Sequence, residues 1–81
     1  MLRIHPAARK HGISDADIKH AVKHAMTTEE SEDWTRLYIG PARNAALLEV
    51  ITVDRGGRTE MAIHAMRMRP RSKRILLGER P

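Results

Sequence analysis

The chain has 81 residues and no cysteine, and its 15 Lys and Arg outnumber 10 Asp and Glu to give a net charge of +5. The lack of cysteine excludes a disulfide framework, a thiolate nucleophile and Cys-ligated zinc, and no apolar run approaches the roughly 20 residues of a membrane span. We therefore expect one cytoplasmic domain over residues 1–81 that has no membrane partner. Its basic balance favours a polyanionic partner.

A helix is predicted from about Asp15 to about Thr27. Ser14, with Asp17 three positions later, forms a capping-box pattern, and the apolar residues that follow recur at the spacing of one buried helical stripe. A second, shorter helix is predicted over Pro6 to Lys10, because proline is favoured at the first helical position. The N-terminal half of the chain is therefore expected to be helical.

The C-terminal half has the composition of strands. Residues 27–33 form an acidic run that repels itself, so a solvated loop is expected there. Three strand-like segments follow, Trp34 to Ile39, Ala46 to Val53, and Thr59 to about Met68, separated by turn signals at Gly40 to Asn44 and Asp54 to Arg58. Short connections imply antiparallel neighbours, so we predict an α+β fold with the N-terminal helix or helices packed on a three-stranded antiparallel sheet.

The last strand leads directly into a block of cations. The stretch from Met61 to Arg74 is apolar at first and then rich in Arg and Lys. Pro70 should end the strand, and Ser72 to Leu77 is expected either to form a short basic terminal helix that ends near Gly78 or to remain loose. Guanidinium groups held beside a rigid strand suit phosphodiester oxygens, which they bind bidentately. This segment therefore points to RNA as the polyanion.

Short motifs along this layout resemble the BrnT group of bacterial toxins, which has a RelE-like fold. They are Lys10-His11-Gly12-Ile13-Ser14, Arg36-Leu37-Tyr38-Ile39-Gly40, Leu47-Leu48-Glu49-Val50 and Ile63-His64-Ala65-Met66-Arg67. The chain is also similar to a related uncharacterised small-domain family with the same opening. The resemblance implies an mRNA-cleaving toxin of a type II toxin–antitoxin pair, neutralised by a cognate antitoxin, and it leaves open whether the mRNA is ribosome-bound.

Two features depart from that group. Its last strand commonly ends in a small residue followed at once by Arg, whereas here Ala65-Met66 delays the cation to Arg67, which would point to the opposite face of a regular strand. Its short N-terminal strand is curtailed to Leu2-Arg3-Ile4. Either the catalytic cation is shifted or the activity is reduced.

RNA cleavage without a metal needs a base for the attacking 2′-hydroxyl, cations for the charge on the phosphorus oxygens, and a proton donor for the departing oxygen. His64 on the last strand could serve as base or acid, because imidazole exchanges protons near neutral pH. The alternative is that His64 packs on a sheet face beside Ala62 and Met66, with one ring nitrogen bonded locally.

Three arginines are candidates for the cations. Arg67 and Arg69 follow His64, and Arg36 lies on a neighbouring strand, so the three could converge on one scissile phosphate if the sheet curves. The alternative is a solvated strand edge whose cations discourage aggregation. Glu49, in the middle strand, is expected either to pair with Arg36 or Arg67 and orient it, or to lie on the solvent face.

The remaining candidates come from the two ends of the motif region. Lys10 and His11 lie in the segment most similar to the toxin group and near a helix N-terminus, where an anion is welcome, and the alternative is a surface loop. Arg71, Lys73 and Arg74 are expected to follow the RNA backbone, or else to form a disordered basic tail that docks on an acidic antitoxin.

No metal or cofactor is predicted. His20 and His24 have the spacing of a metal-binding pair, but two ligands are insufficient, so a solvated basic face is expected there. No Gly-rich phosphate loop precedes a helix, and Gly56-Gly57 is turn chemistry between strands.

The leading hypothesis is a metal-independent endoribonuclease. Its predicted catalytic residues are His64, Arg67, Arg36 and His11, and its predicted RNA-binding residues are Lys10, Arg69, Arg71, Lys73 and Arg74. The alternative is a module without catalysis that binds nucleic acid or a partner protein, which the sparse aromatics, only Trp34 and Tyr38, and the displaced arginine favour. A degenerate toxin kept as a scaffold for its antitoxin is a third possibility.

Overall fold

The computed structural model describes residues 2–54 and 59–78 of the chain. Its strands are β1 (Leu2–Ile4), β2 (Thr27–Glu30), β3 (Thr35–Pro41), β4 (Leu47–Val53) and β5 (Glu60–Arg67). Its helices are a first 3-10 helix (Pro6–Arg9), α1 (Asp15–Lys23), a second 3-10 helix (Pro70–Ser72) and α2 (Lys73–Leu76). The strands form one mixed sheet in the order β1-β5-β4-β3-β2.

The predicted fold, with N-terminal helices on a three-stranded antiparallel sheet, is wrong. The sheet has five strands, and one of the two short α-helices is C-terminal. The predicted three-stranded sheet left out both edge strands, although the resemblance to the toxin group had implied a curtailed N-terminal strand at Leu2-Arg3-Ile4, which is β1. Strand β1 pairs in parallel with β5, with Leu2 opposite Glu60 and Ile4 opposite Ala62. This pairing joins distant parts of the chain, and a segment of three residues is too short for its alternation to reveal it.

Strand β2 lies in the acidic run that was expected to be a solvated loop. Thr27–Glu30 pairs antiparallel with β3, from Thr27 opposite Ile39 to Glu30 opposite Arg36. Its side chains alternate between half-buried and exposed. The pairing with β3, including the opposite charges of Glu30 and Arg36, overrides the low strand preference of glutamate.

Helix α1 begins at Asp15, as predicted. The Ser14 side chain accepts a hydrogen bond from the Asp17 backbone N–H at 3.2 Å, which caps the first turn. The helix ends at Lys23 instead of the predicted Thr27, because Thr27 already belongs to β2.

One face of the sheet packs against α1. Ile18 and Ala21 of the helix are fully buried in a cluster with Val50 of β4. Gly40 of β3 allows the close approach, because a Cβ there would lie 2.1 Å from the backbone oxygen of Ala21. The core therefore lies between α1 and the centre of the sheet.

A β-bulge changes the faces of strand β5. Ala62 lies opposite Thr52 and His64 lies opposite Ile51, so Ile63 has no partner on β4. Ala62 and Ala65 are consequently both fully buried in the α1-side cluster. His64 therefore lies on the other face of the sheet from Ala62, contrary to the expectation that the two share a face.

The C-terminal segment returns to that other face. Strand β5 ends at Arg67, ahead of Pro70 as predicted, and the predicted basic helix is present as α2, followed by Gly78 at a φ of 77°. Of the predicted turn over residues 54–58, residues 55–58 lie outside the described part. Within residues 2–54 and 59–78, no helix has the length and apolar character needed to cross a membrane.

Candidate functional site

The candidate site is built around the carboxylate of Glu49 in the middle of β4. Its side chain is only 1 % exposed. Its Oε2 accepts hydrogen bonds from the Arg69 backbone N–H at 3.0 Å and the Ser72 hydroxyl at 2.7 Å, and its Oε1 accepts from Nε of Arg69 at 2.9 Å. Nη2 of Arg69 lies 2.6 Å from the same Oε1. Glu49 therefore holds the C-terminal segment against the sheet.

These donors keep Glu49 ionised. Burial by itself raises the pKa of this carboxyl, but the hydrogen bonds from Arg69 and Ser72 outweigh burial and bring the pKa below its usual value. The expected partners Arg36 and Arg67 do not contact it, and it does not lie on a solvent face. A buried charge needs such donors, because an unpaired carboxylate in the interior is very costly.

His64 lies beside this carboxylate on the same face. Its Nε2 is 3.8 Å from Oε1 of Glu49, which is beyond hydrogen-bond distance, and it is buried without a partner among the described residues. Burial lowers the pKa of His64, Glu49 opposes this, and His11 and Arg69 lower it further. The imidazole is therefore neutral near pH 7 and able to accept a proton.

His11, two residues after the first 3-10 helix, contacts His64. The His5 side chain caps that helix, and the His5 N–H donates to the Ala62 carbonyl at 2.9 Å, which fixes the helix against β5. The exposed His11 ring then lies with its centroid 5.6 Å from that of His64, at an angle of 74°. Two imidazoles at this distance can take and give protons on one bound group.

Arg36 does not join this site. It pairs with Glu30 of β2 and donates to the Tyr38 hydroxyl at 3.1 Å, and Glu60 lies 3.7 Å away. Tyr38 belongs to the core cluster on the α1 side of the sheet. Arg36 is therefore on the opposite face from His64, with its charge balanced by carboxylates.

Arg67 is exposed and also lies apart from His64. It lines a cavity of about 320 Å³ together with Ser14 and Asp17 at the start of α1 and Arg43 in the connection between β3 and β4. Hydrogen bonds from Arg43 lower the pKa of Asp17 to about 2. The three predicted arginines thus occupy three different environments, and only Arg69 lies beside His64.

The other predicted RNA-binding cations are exposed to solvent. Lys10, Arg71, Lys73 and Arg74 are exposed, and no ion pair joins them to the part of the chain that the structure describes. Lys10 is next to His11, and the other three follow Arg69 on the segment held by Glu49. Their charge is therefore available to a polyanion.

Sequence reasoning missed the central role of Glu49 and the part of Ser72. The signal was present, because a carboxylate that interrupts Leu47-Leu48 and Val50-Ile51 is placed in a strand buried on both sides. What the pattern does not reveal is which cation reaches it, since Arg69 returns only after β5 has ended.

His20 and His24 stack with ring centroids 4.4 Å apart, and Nδ1 of His20 lies 2.8 Å from the Pro41 carbonyl oxygen. The expected solvated face is thus partly a helix-to-strand contact. Within residues 2–54 and 59–78, no three His, Asp or Glu side chains are grouped as metal ligands.

Comparisons of the chain with protein-family models, with curated proteins and with solved structures find no match. The assignment of function therefore depends on the geometry of this site.

Proposed function

We propose that this chain is an endoribonuclease that cleaves mRNA by attack of a ribose 2′-hydroxyl on the adjacent phosphate. His64 takes the proton of the 2′-hydroxyl as the bond from O2′ to phosphorus forms. His11 gives a proton to O5′ as the bond from phosphorus to O5′ breaks. The products are a 2′,3′-cyclic phosphate and a 5′-hydroxyl, so the two proton transfers balance.

The observation that carries this proposal is the contact between the His11 and His64 rings, whose centroids are 5.6 Å apart. Burial keeps His64 neutral, as a base must be, and its Nε2 faces Glu49 in the interior. Nδ1 is then the nitrogen that accepts the proton. His11 is exposed, follows the exposed Lys10 and contacts the His64 ring, so one phosphodiester would meet both rings.

The cations next to this pair support binding of RNA. Lys10 precedes His11 in the sequence, Arg69 shares the Glu49 carboxylate that adjoins His64, and Arg71, Lys73 and Arg74 are exposed after Arg69. Arg36 and Arg67 have no part in this proposal, since both lie on the α1 side of the sheet. Phosphate contacts of this kind give affinity without base specificity.

We extend the proposal to the biological role that the resemblance implies. The chain would act in the cytoplasm as the toxin of a type II pair, and a cognate antitoxin would neutralise it. An acidic antitoxin segment would suit the same exposed cations that bind RNA.

The test compares the intact chain with His64→Ala, His11→Ala and His24→Ala in a host without an antitoxin. His24 is a matched control, because it is an exposed histidine stacked on His20 and remote in sequence from the site. RNA ends are mapped and 2′,3′-cyclic phosphates measured. We expect cleavage by the intact chain and by His24→Ala, and rates lower by about 10²–10⁴-fold for the other two variants.

Equal cleavage by all four proteins would contradict the roles of the two histidines. Unbroken RNA from all four would reject catalysis.

A second candidate is an RNA-binding module without catalysis. It is favoured by the carboxylates that balance Arg36, which leave the transition state with fewer cations, while Lys73 and its neighbours remain exposed. If this candidate is right, the affinity for RNA should fall on the order of 10³-fold between 50 and 200 mM salt. Such a fall without any cleavage product would support this candidate over the nuclease.

A further inference from the structure

The carboxylate of Glu49 lies between two sets of possible hydrogen-bond donors. On one side Arg69 and Ser72 donate to it, and on the other side Nε2 of His64 is 3.8 Å from its Oε1. A hydrogen bond needs about 2.7–3.2 Å, so Nε2 stops short by roughly 1 Å or less. The carboxylate is thus engaged by the C-terminal segment at the expense of the histidine.

We propose that Glu49 is a positioning residue that exchanges partners when RNA binds. In the state described here it holds Arg69. When an RNA phosphate takes the Arg69 guanidinium, Oε1 of Glu49 turns to the Nε2–H of His64, fixing the imidazole with Nδ1 ready to accept the 2′-hydroxyl proton. The inference rests on the proposed function, because it gives RNA binding a means of activating the base.

The geometry favours this exchange over a fixed pair. The Arg69 side chain is 37 % exposed, so a phosphate can reach its guanidinium from solvent, whereas the Glu49 side chain is 1 % exposed and out of reach. Guanidinium binds phosphate in the same bidentate manner as carboxylate. The exposed Arg71, Lys73 and Arg74 on the same segment bring the RNA backbone to Arg69.

A hydrogen bond to the released carboxylate would satisfy the ring nitrogen of His64. Its Nε2 is the buried side-chain polar atom without a partner among the described residues, and such an atom is costly to leave unpaired. The Ser72 hydroxyl and the Arg69 backbone N–H hold Oε2, while only the Arg69 side chain holds Oε1, so release of the guanidinium leaves the carboxylate anchored at Oε2 and able to pivot toward Nε2. Only a small rotation of the carboxylate is therefore required.

Among the described residues, three charged or titratable groups act on His64 from the elements around it. Glu49 on β4 raises the pKa of His64, and Arg69 in the C-terminal segment and His11 after the first 3-10 helix lower it, in addition to burial. Removing the guanidinium of Arg69 should therefore have two effects of the same sign, since it takes away a cation and frees the carboxylate.

The experiment follows the His64 imidazole by NMR titration in the intact chain, Arg69→Gln, Glu49→Gln and the double variant. Arg71→Gln is the matched control, because it removes the same charge from the same segment without touching Glu49. The probe is a 2′-O-methyl oligoribonucleotide, which carries the phosphates and cannot be cleaved.

We expect the pKa of His64 to rise by about one pH unit in Arg69→Gln and in the intact chain with the probe. It should change little in Arg71→Gln, and the probe should have a much smaller effect in Glu49→Gln. Arg69→Lys, which keeps the charge but cannot donate from two nitrogens of one fork, should give a smaller rise and serves where Arg69→Gln does not fold.

An unchanged or lower pKa in Arg69→Gln or Arg69→Lys would overturn the exchange. So would an equal effect of the probe with and without the Glu49 carboxylate, since the phosphate would then act on His64 directly. The titration needs no cleavage, so the exchange and the nuclease proposal can fail separately.

Discussion

Replacement of Gly40 by alanine tests how closely helix α1 is seated on the sheet. A Cβ at Gly40 would lie 2.1 Å from the Ala21 backbone oxygen and 3.0 Å from Cα of Ala25. Because an overlap with backbone cannot be relieved by a side-chain rotation, the helix as a whole must retreat by about 1.3 Å to bring this contact to an ordinary 3.4 Å.

The expected loss of stability comes from the contacts between α1 and the sheet that this retreat weakens. Ile18 and Ala21 of α1 are fully buried against the sheet, and a gap of only about 0.5–1 Å already forfeits a quarter to a half of the dispersion attraction across it. Overpacking of this kind costs about 1–3 kcal/mol. With the lost dispersion attraction added, we expect the free energy of unfolding to fall by about 2–4 kcal/mol. For a domain of this size that lowers Tm by roughly 10–30 °C.

Urea unfolding followed by circular dichroism measures the loss, and Gly12→Ala is the control. Gly12 has a φ of 75° and open space where a Cβ would be, so alanine there costs only the left-handed backbone strain, about 1 kcal/mol. A Gly40→Ala protein as stable as Gly12→Ala or more so would refute the close seating of α1.

Two further predictions concern the carboxylates of Glu60 and Glu49. Tyr38→Phe and Thr52→Val each remove a donor to the same Oε2 of Glu60, at 2.6 and 2.7 Å, so each should lower the free energy of unfolding by about 1–2 kcal/mol, and the double variant by less than the sum. Strictly additive losses in urea unfolding would contradict the shared oxygen. The pKa of Glu49 is lower in the folded chain than in the unfolded chain, so its contribution is present above about pH 4.5 and is lost as pH falls through the folded pKa. The stability difference between the intact chain and Glu49→Gln should therefore shrink on acidification, and a constant difference from pH 6 to 3 would count against it.

Local signals predicted the parts of the fold that local chemistry controls. Ser14 and Asp17 mark the start of α1, because a side-chain oxygen is needed where backbone N–H groups have no partner. Pro70 marks the end of β5, because it has no N–H for the sheet. In both cases the cause lies within a few residues of the effect.

The edge strands did not have such signals. Thr27–Glu30 is a strand because β3 offers it a partner, and Leu2–Ile4 is a strand because β5 does. The intrinsic strand preference of an acidic or very short segment is too weak to predict a strand. Its conformation is therefore determined by pairing with a distant segment.

The candidate site divides in the same way. The sequence by itself identified His11, His64, Arg69 and the exposed cations as chemically capable residues, since that capacity belongs to the side chain. The tertiary structure alone places the two histidines in contact and positions Glu49 between Arg69 and His64. It also places Arg36 and Arg67 on the α1 side of the sheet. The physical reason is that one unpaired residue in β5 reverses its alternation, and that a buried carboxylate takes whichever donors the returning chain places within hydrogen-bond distance.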